Sequence, residues 1–329
     1  MKRVDRQRAW PLLLLGLVLA VGLLAVARPQ HVVQLAIRAQ PSGLAAAFAV
    51  TAAVAALRGL RLKVVVGRSL GALRALAVHA VTQFAAAVVP MRLGEAATLP
   101  LLHRAGVPGL LRGVSVVVTV RLLDLLALLV WATVAGLWLG ARGALAGTAL
   151  VIVAATVLAV AAVVQRFLAA AARRYRHASP RWRRVLRQAL QVRAELKRLV
   201  ATPGRAAAAM ALSLAAWGGV WWVTVLLLRA MGLVWPAATV LWGTLGATLG
   251  AALPLNAVGN FGTLEAGWTA ALTALGIPAS QALAAGFATH AWSLLFNAAL
   301  AAAAVPLTLR PPRAPSAAAL ATRKARRSD

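Results

Sequence analysis

The chain has 329 residues, 62% of them hydrophobic, and a mean hydropathy of +0.82, more apolar surface than a soluble domain can place in its core. It carries 35 lysines and arginines against 6 aspartates and glutamates and has no cysteine, which excludes a disulfide framework, a thiolate metal site and a cysteine nucleophile. Apolar runs close to the length that crosses about 30 Å of hydrocarbon recur along it, and helices satisfy their own backbone polar groups there, so the expected fold class is all-α, a polytopic helical membrane protein.

Most of the basic residues fall in four clusters, 2–8, 58–74, 166–205 and 310–327. Cytoplasmic loops carry such a bias, which places both termini inside. In a soluble protein the same charge would suggest nucleic acid; here it points to anionic headgroups at the cytoplasmic face, and no nucleic-acid partner is expected. The longest polar interval, 166–205, is at the lower limit for an unaided folded domain. One membrane-embedded domain, 1–309, is therefore expected, followed by a disordered basic tail, 310–329.

The first apolar run, 11–27, reads as an uncleaved span, with a signal peptide ending at Ala25-Val26-Ala27 as the alternative. A polar piece, 28–42, then lies outside and 43–57 crosses back, so that Arg58, Arg61, Lys63, Arg68 and Arg74 fall in a cytoplasmic loop. The third span, 76–89, stops at Pro90. The piece 91–107 must return to the inside, because the next span, 113–139, has to leave from there. It is too short and polar for an ordinary span and reads as a broken or re-entrant segment, which membranes tolerate only where protein or a water-filled cavity surrounds it. A span over 144–164 leads into the basic segment, where Trp182, Val185, Ala189, Val192, Leu196 and Leu199 recur on one face of a helix suited to an anionic surface. Spans follow at 206–228 and 234–253, with Trp221, Trp222 and Trp235 near the outer interface. A second broken segment contains Pro254, Asn256, Gly259, Asn260, Gly262 and Glu265, and the last span is 280–309. In total about 7–8 transmembrane helices and two re-entrant or broken segments are expected.

The two broken segments share a spacing. Glu95-Ala96 is followed by nine residues and then Gly106-Val107-Pro108; Glu265-Ala266 is followed by nine and then Gly276-Ile277-Pro278. The charge-derived topology runs the first copy outside to inside and the second inside to outside, an inverted repeat of the kind that places substrate between discontinuous helices. Gly136-x-x-x-Gly140 and Gly246-x-x-x-Gly250 permit close helix approach.

Charged residues inside such segments are costly, so Arg92, Glu95, Arg121 and Asp124 need a reason. Glu95 and Glu265, at matching repeat positions, are the first candidates for contacting a headgroup or carrying a proton. The alternative is that Arg92 with Glu95, and Arg121 with Asp124, pair at i,i+3 only to neutralise buried charge. Asn256 and Asn260 could present amides to a headgroup or cap half-helices. His290, one residue from the repeat equivalent of Arg121, could relay a proton or simply pack. The five histidines show no metal-ligand spacing, and no phosphate-binding glycine loop, HExxH or GxSxG motif is present, so neither metal nor cofactor is expected.

Pro90, Arg92, Gly94 and Glu95, then Arg121 with Asp124, then Gly259, Gly262 and Glu265 resemble, in order and over nearly the whole chain, the pattern of the lysylphosphatidylglycerol synthase transmembrane-domain family, flippase-like integral membrane proteins. The resemblance implies a bacterial cytoplasmic membrane location and a role in moving lipid or lipid-linked material between leaflets. Longer relatives append an aminoacyltransferase domain; this chain is expected to lack it, and so not to be an enzyme of lipid aminoacylation. It also departs from the pattern. Ala96, Ala97 and Thr98 stand where a further arginine is frequent, and His290 stands near a frequent last-span arginine, so fewer fixed cations are expected. The expected function is lipid translocation through a polar cleft lined by Arg92, Glu95, Arg121, Asp124, Asn256, Asn260, Glu265 and His290. The alternatives are a lipid-modifying enzyme using a carboxylate as general base, and a non-transporting membrane protein whose basic helix recruits a separate partner protein.

Overall fold

The computed structural model describes residues 17–67, 69–107, 109–140, 201–253 and 258–309, with isolated positions at 15, 166, 183, 186, 187, 190, 191 and 194. The expected span 144–164, most of the basic segment and its amphipathic face, the tail 310–329, and Asn256 lie outside them. Among the described residues every regular element is helical: α1 (Leu17–Ala27), α2 (Pro29–Ile37), α3 (Pro41–Val66), α4 (Ala72–Val88), α5 (Thr98–Arg104), α6 (Leu110–Trp138), α7 (Pro203–Ala230), α8 (Ala237–Ala252), α9 (Thr263–Thr273) and α10 (Ala279–Leu309). Four of these, α3, α6, α7 and α10, are long and apolar enough to cross a membrane; α1 and α2 together would make a fifth, bent by 74°, and α4 and α8 are shorter apolar helices.

Within the polar piece 28–42, Pro29–Ile37 is helical and packs on α10, with Trp292 Nε1 donating to the Ala36 carbonyl at 3.3 Å. One expectation about the first third of the chain needs correction. The span expected to end at 57 continues to Val66, so Arg58 and Arg61 belong to α3 and not to a loop. The helix continues because Leu62, Val65 and Val66 bury against Leu70, Ala75 and Val78. Basic residues beyond it serve its end: Arg112 and Arg205 donate to the Val66 and Val64 carbonyls at 3.2 and 2.8 Å, cations placed at a helix C-terminus.

α3 runs antiparallel to α7, with Gly43 against Ala230 at one end and Gly67 near Arg205 at the other. α4 packs on α10, and α8 packs on α6. The two largest apolar clusters surround Leu102 of α5 and Leu272 of α9, both fully buried.

Both breaks are legible as backbone chemistry. α4 ends at Pro90, which has no N–H for the Ala86 carbonyl; Asn260 Nδ2, from the second break, donates to that carbonyl at 3.3 Å. The chain turns through a 3₁₀ segment, Pro90–Ala97, in which a Cβ on Gly94 would overlap the Ala85 carbonyl, so only glycine lets this segment lie on the last turn of α4. The second break holds a 3₁₀ turn, Val258–Asn260, and the two broken segments touch each other.

Of the two glycine pairs, Gly246 and Gly250 mark a close helix approach; Gly140 meets no described neighbour. A Cβ on Gly246 would lie 2.5 Å from the Ala271 Cβ, and one on Gly250 would lie 3.1 Å from the Gly267 Cα. Gly246→Leu should therefore overpack the α8–α9 seam by at least ~1–3 kcal/mol. In a thermal melt of the purified protein it should unfold several degrees below wild type, while Gly204→Ala, in open space, should leave the midpoint in place.

Candidate functional site

At the centre of the bundle lies a cavity of about 310 Å³, walled by α3, α4, α6, α7, α8, α10 and both breaks. Five of the expected site residues line it: Glu95, Arg121, Asp124, Asn260 and His290. Glu265 stands directly behind His290 and is fully buried. The Arg92 side chain lies outside the described atoms, although its backbone belongs to the first break.

Glu95 and Glu265 each pair with a basic side chain on the long helix that follows their own break. Arg121 Nη2 donates to Glu95 Oε1 at 2.8 Å. His290 Nδ1 lies 2.6 Å from Glu265 Oε1, a separation that requires a proton between them. Glu265 Oε2 also accepts the Gly262 N–H at 2.7 Å, so this carboxylate caps the first turn of α9 while holding the histidine. Gly262, at φ 103°, gives the chain the left-handed turn that brings its N–H round to Glu265. Phe261 packs over the imidazole at 4.5 Å between ring centres and fixes its far face.

The matching spacing ends in matching local structure. Gly106 (φ 97°) and Gly276 (φ 88°) close α5 and α9 with the same pair of bonds. Gly106 N–H donates to the His103 carbonyl and Val107 N–H to Leu102, at 3.0 Å each; Gly276 N–H donates to Thr273 at 3.0 Å and Ile277 N–H to Leu272 at 3.1 Å. This is the double-bonded left-handed cap, which needs a residue tolerant of positive φ.

Asp124 has a partner that spacing along the chain did not suggest. Its strongest contact is Arg61 of α3, with Nη1 donating to Oδ1 at 2.5 Å and Nη2 to Oδ2 at 3.4 Å. Trp217 Nε1 donates to Oδ1 at 2.9 Å, and Arg121 at i−3 is the more distant cation, 3.6 Å from Oδ2. Arg61 is 2% exposed and also donates to Ser213 Oγ at 3.0 Å. The pairing of Arg121 with Asp124 alone is thus corrected to a network joining α3, α6, α7 and the first break. Sequence reasoning missed Arg58, Arg61 and Trp217. The available signal was the i,i+3 spacing of Arg58 and Arg61 ahead of the apolar Val64–Val66 end of the same helix.

Arg58 stands in the same wall, its guanidinium 4.9 Å from the Trp217 ring centre. The remaining wall is largely neutral: Thr51, Gln83, Thr224, Thr248, Ser293 and Asn297 offer hydroxyls and amides. Three arginines, two of them from α3, therefore stand with two carboxylates around the cavity.

A bundle of long apolar helices enclosing a built polar centre defines a polytopic membrane protein. The chain matches the model of the family described as the lysylphosphatidylglycerol synthase TM region over residues 13–301, and it belongs to that family. No curated protein and no solved structure matches it.

Proposed function

We propose that this protein moves a lipid or lipid-linked headgroup between the leaflets of the bacterial cytoplasmic membrane, both of its termini lying on the cytoplasmic side. Family membership ties the chain to the handling of membrane lipid. The observation that carries the translocation reading is the meeting of two broken helices around one polar cavity, with each break supplying a glutamate to a base on its following helix. The antiparallel α3 and α7, the reciprocal packing of α4 on α10 and α8 on α6, and the identical caps of α5 and α9 support an inverted repeat, 41–138 and 203–309. Transporters built in this way place substrate between the repeats and expose it to each side in turn.

The headgroup would enter the cavity, contact Arg121, Asp124, Asn260 and His290, and leave its acyl chains in lipid. Glu95 and Glu265 hold the Arg121 guanidinium and the His290 imidazole in position, and release of either pair would alternate which half of the cavity is closed. Both carboxylates are occupied in these pairings, which favours holding a headgroup over general-base attack on one, so we read the protein as a transporter and not an enzyme. The test is leaflet exchange of labelled lipids in vesicles containing the purified protein. Wild type should exchange lipid, and a Glu95→Gln/Glu265→Gln variant that inserts and melts normally should lose at least 10-fold in rate, about 1.4 kcal/mol of barrier. Equal exchange by the folded double variant would reject the cavity as the route.

A further inference from the structure

Glu265 and His290 form a buried acid–base pair, and the cavity it borders holds a polar track leading away from it. Glu95 and Asp124 both rest against arginines, whereas among the described residues Glu265 meets no arginine or lysine and has the His290 imidazole as its partner. Of the elements packed against α10, α4 brings His79 and α3 brings Arg58 to the cavity wall, α9 brings Glu265 behind it, and α2 and α7 bring no titratable side chain. Glu95, Arg121 and Asp124 complete the charged lining. The carboxylate is held at both oxygens, Oε1 by His290 Nδ1 and Oε2 by the Gly262 N–H. The other ring nitrogen, Nε2, makes no hydrogen bond among the described residues, and the ring borders the cavity. Ser293 and Asn297 follow His290 by three and seven residues on one face of α10 and line the same cavity, over ~10 Å of helix. Ser293 Oγ and Asn297 Nδ2 donate to carbonyls four residues back, at 2.8 and 2.7 Å, which leaves the hydroxyl oxygen and the amide carbonyl to accept from water. A cavity of about 310 Å³ has room for a chain of waters beside them.

We propose that the Glu265–His290 pair carries a proton across the membrane with each turn of the cavity, so that translocation is coupled to the proton gradient. The coupling rests on the translocation reading; the proton site stands or falls on its own. In the unloaded pair Glu265 is a carboxylate and the imidazole keeps one proton, on Nδ1, where Oε1 accepts it. Loading forms an Nε2–H bond with a proton delivered by water from the open side of the cavity. Release breaks the same bond and hands the proton to water on the opposite side, so one proton and its charge move per cycle and nothing is consumed. The unloaded pair has a net negative charge and the loaded pair is neutral overall. Net charge in the membrane interior is costly, and a neutral hydrogen-bonded pair is much less so, which makes the loaded state the one in which the cavity changes sides. Glu265 tunes this chemistry by holding Nδ1–H, which turns Nε2 toward the water it exchanges with.

Two measurements on the full chain test it. The first reads the imidazole directly, by nitrogen NMR of histidine-labelled protein in neutral-detergent micelles, with the His290 signals assigned from their loss in His290→Gln. Between alkaline and mildly acidic buffer the wild-type Nε2 signal should move from the position of a bare ring nitrogen to that of an N–H. In Glu265→Gln the amide donates to Nδ1, so Nε2 keeps its proton throughout and the signal should stay fixed while the melting midpoint holds. The second follows a pH-sensitive dye trapped in vesicles of phosphatidylethanolamine and phosphatidylglycerol that contain the protein, under an inward proton gradient with the membrane potential clamped by potassium and valinomycin. Wild type and Gly204→Ala should take up protons roughly 10-fold faster than Glu265→Gln, and the gradient should speed exchange of labelled lipid by a similar factor. A folded wild type whose His290 signal does not move overturns the proposal, as does proton uptake no faster than that of Glu265→Gln. Leaflet exchange on the same vesicles separates the two ideas. Exchange that runs at one rate with or without the gradient leaves translocation standing and rejects the coupling, while Glu265-dependent proton uptake without any lipid exchange keeps the proton site and rejects translocation.

Discussion

Asp124→Leu is expected to destabilise the protein by about 3–5 kcal/mol, the largest stability effect of any single substitution in the cavity wall. The variant would leave Arg61, 2% exposed, without its carboxylate and with Arg58 and Arg121 nearby. A buried cation stripped of its partner keeps its desolvation penalty and loses the attraction that offset it. Trp217 would lose its acceptor at the same time. Recovery of monodisperse protein and the thermal midpoint should both fall. The pair Arg61→Leu/Asp124→Leu should restore most of the midpoint, since exchanging a buried ion pair for apolar side chains is often close to neutral in stability. A midpoint for Asp124→Leu equal to wild type would mean that water reaches Arg61 and that the network is not a dry one.

The parts of this architecture that were legible in the sequence are those written in local chemistry. Pro90 announces the end of α4 because it cannot donate to Ala86, and Gly106 and Gly276 announce helix ends because each helix closes with a residue in the left-handed region. Equal spacing from Glu95 and Glu265 to those glycines marks two segments that close with the same pair of bonds. The Arg61–Asp124 pair could not be found in that way: its members lie 63 residues apart, and each had a closer, more obvious interpretation. Arg58 and Arg61 looked like the start of a positive cytoplasmic loop, and Asp124 looked like the i+3 partner of Arg121. What distinguishes a loop arginine from a wall arginine is the apolar helix continuing beyond it, and only packing of Val65 and Val66 against α4 and its preceding turn decides that continuation. His290 shows the same limit. Its sequence position one residue from the equivalent of Arg121 was visible, but its bond to Glu265 depends on how α10 is rotated against α9.

Glu265 has two separable roles, and two substitutions should divide them. Glu265→Ala removes both the acceptor for the Gly262 N–H and the partner of His290. In a fully buried position the stranded donor alone should cost about 1–3 kcal/mol, and α9 loses the group that caps its first turn. A lower midpoint and lost lipid exchange are expected together. Glu265→Gln is close to isosteric, and its amide oxygen can still accept from Gly262, so the helix start and the midpoint should hold. Its amide nitrogen, however, would face His290 Nδ1 and can only donate, which forbids the carboxylate-held imidazolium and leaves a single hydrogen-bonding arrangement. If the pair works by gaining and losing a proton as the cavity changes sides, Glu265→Gln should lose exchange as completely as Glu265→Ala while melting like wild type. Should the two variants instead lose exchange in proportion to lost stability, with Glu265→Gln nearly as active as wild type, the carboxylate acts as a cap for α9 and the proton between it and His290 has no part in transport. Glu95, at the matching position of the first break, pairs with an arginine and not with a histidine, so Glu95→Gln would weaken an ion pair and leave the Glu265–His290 contact intact.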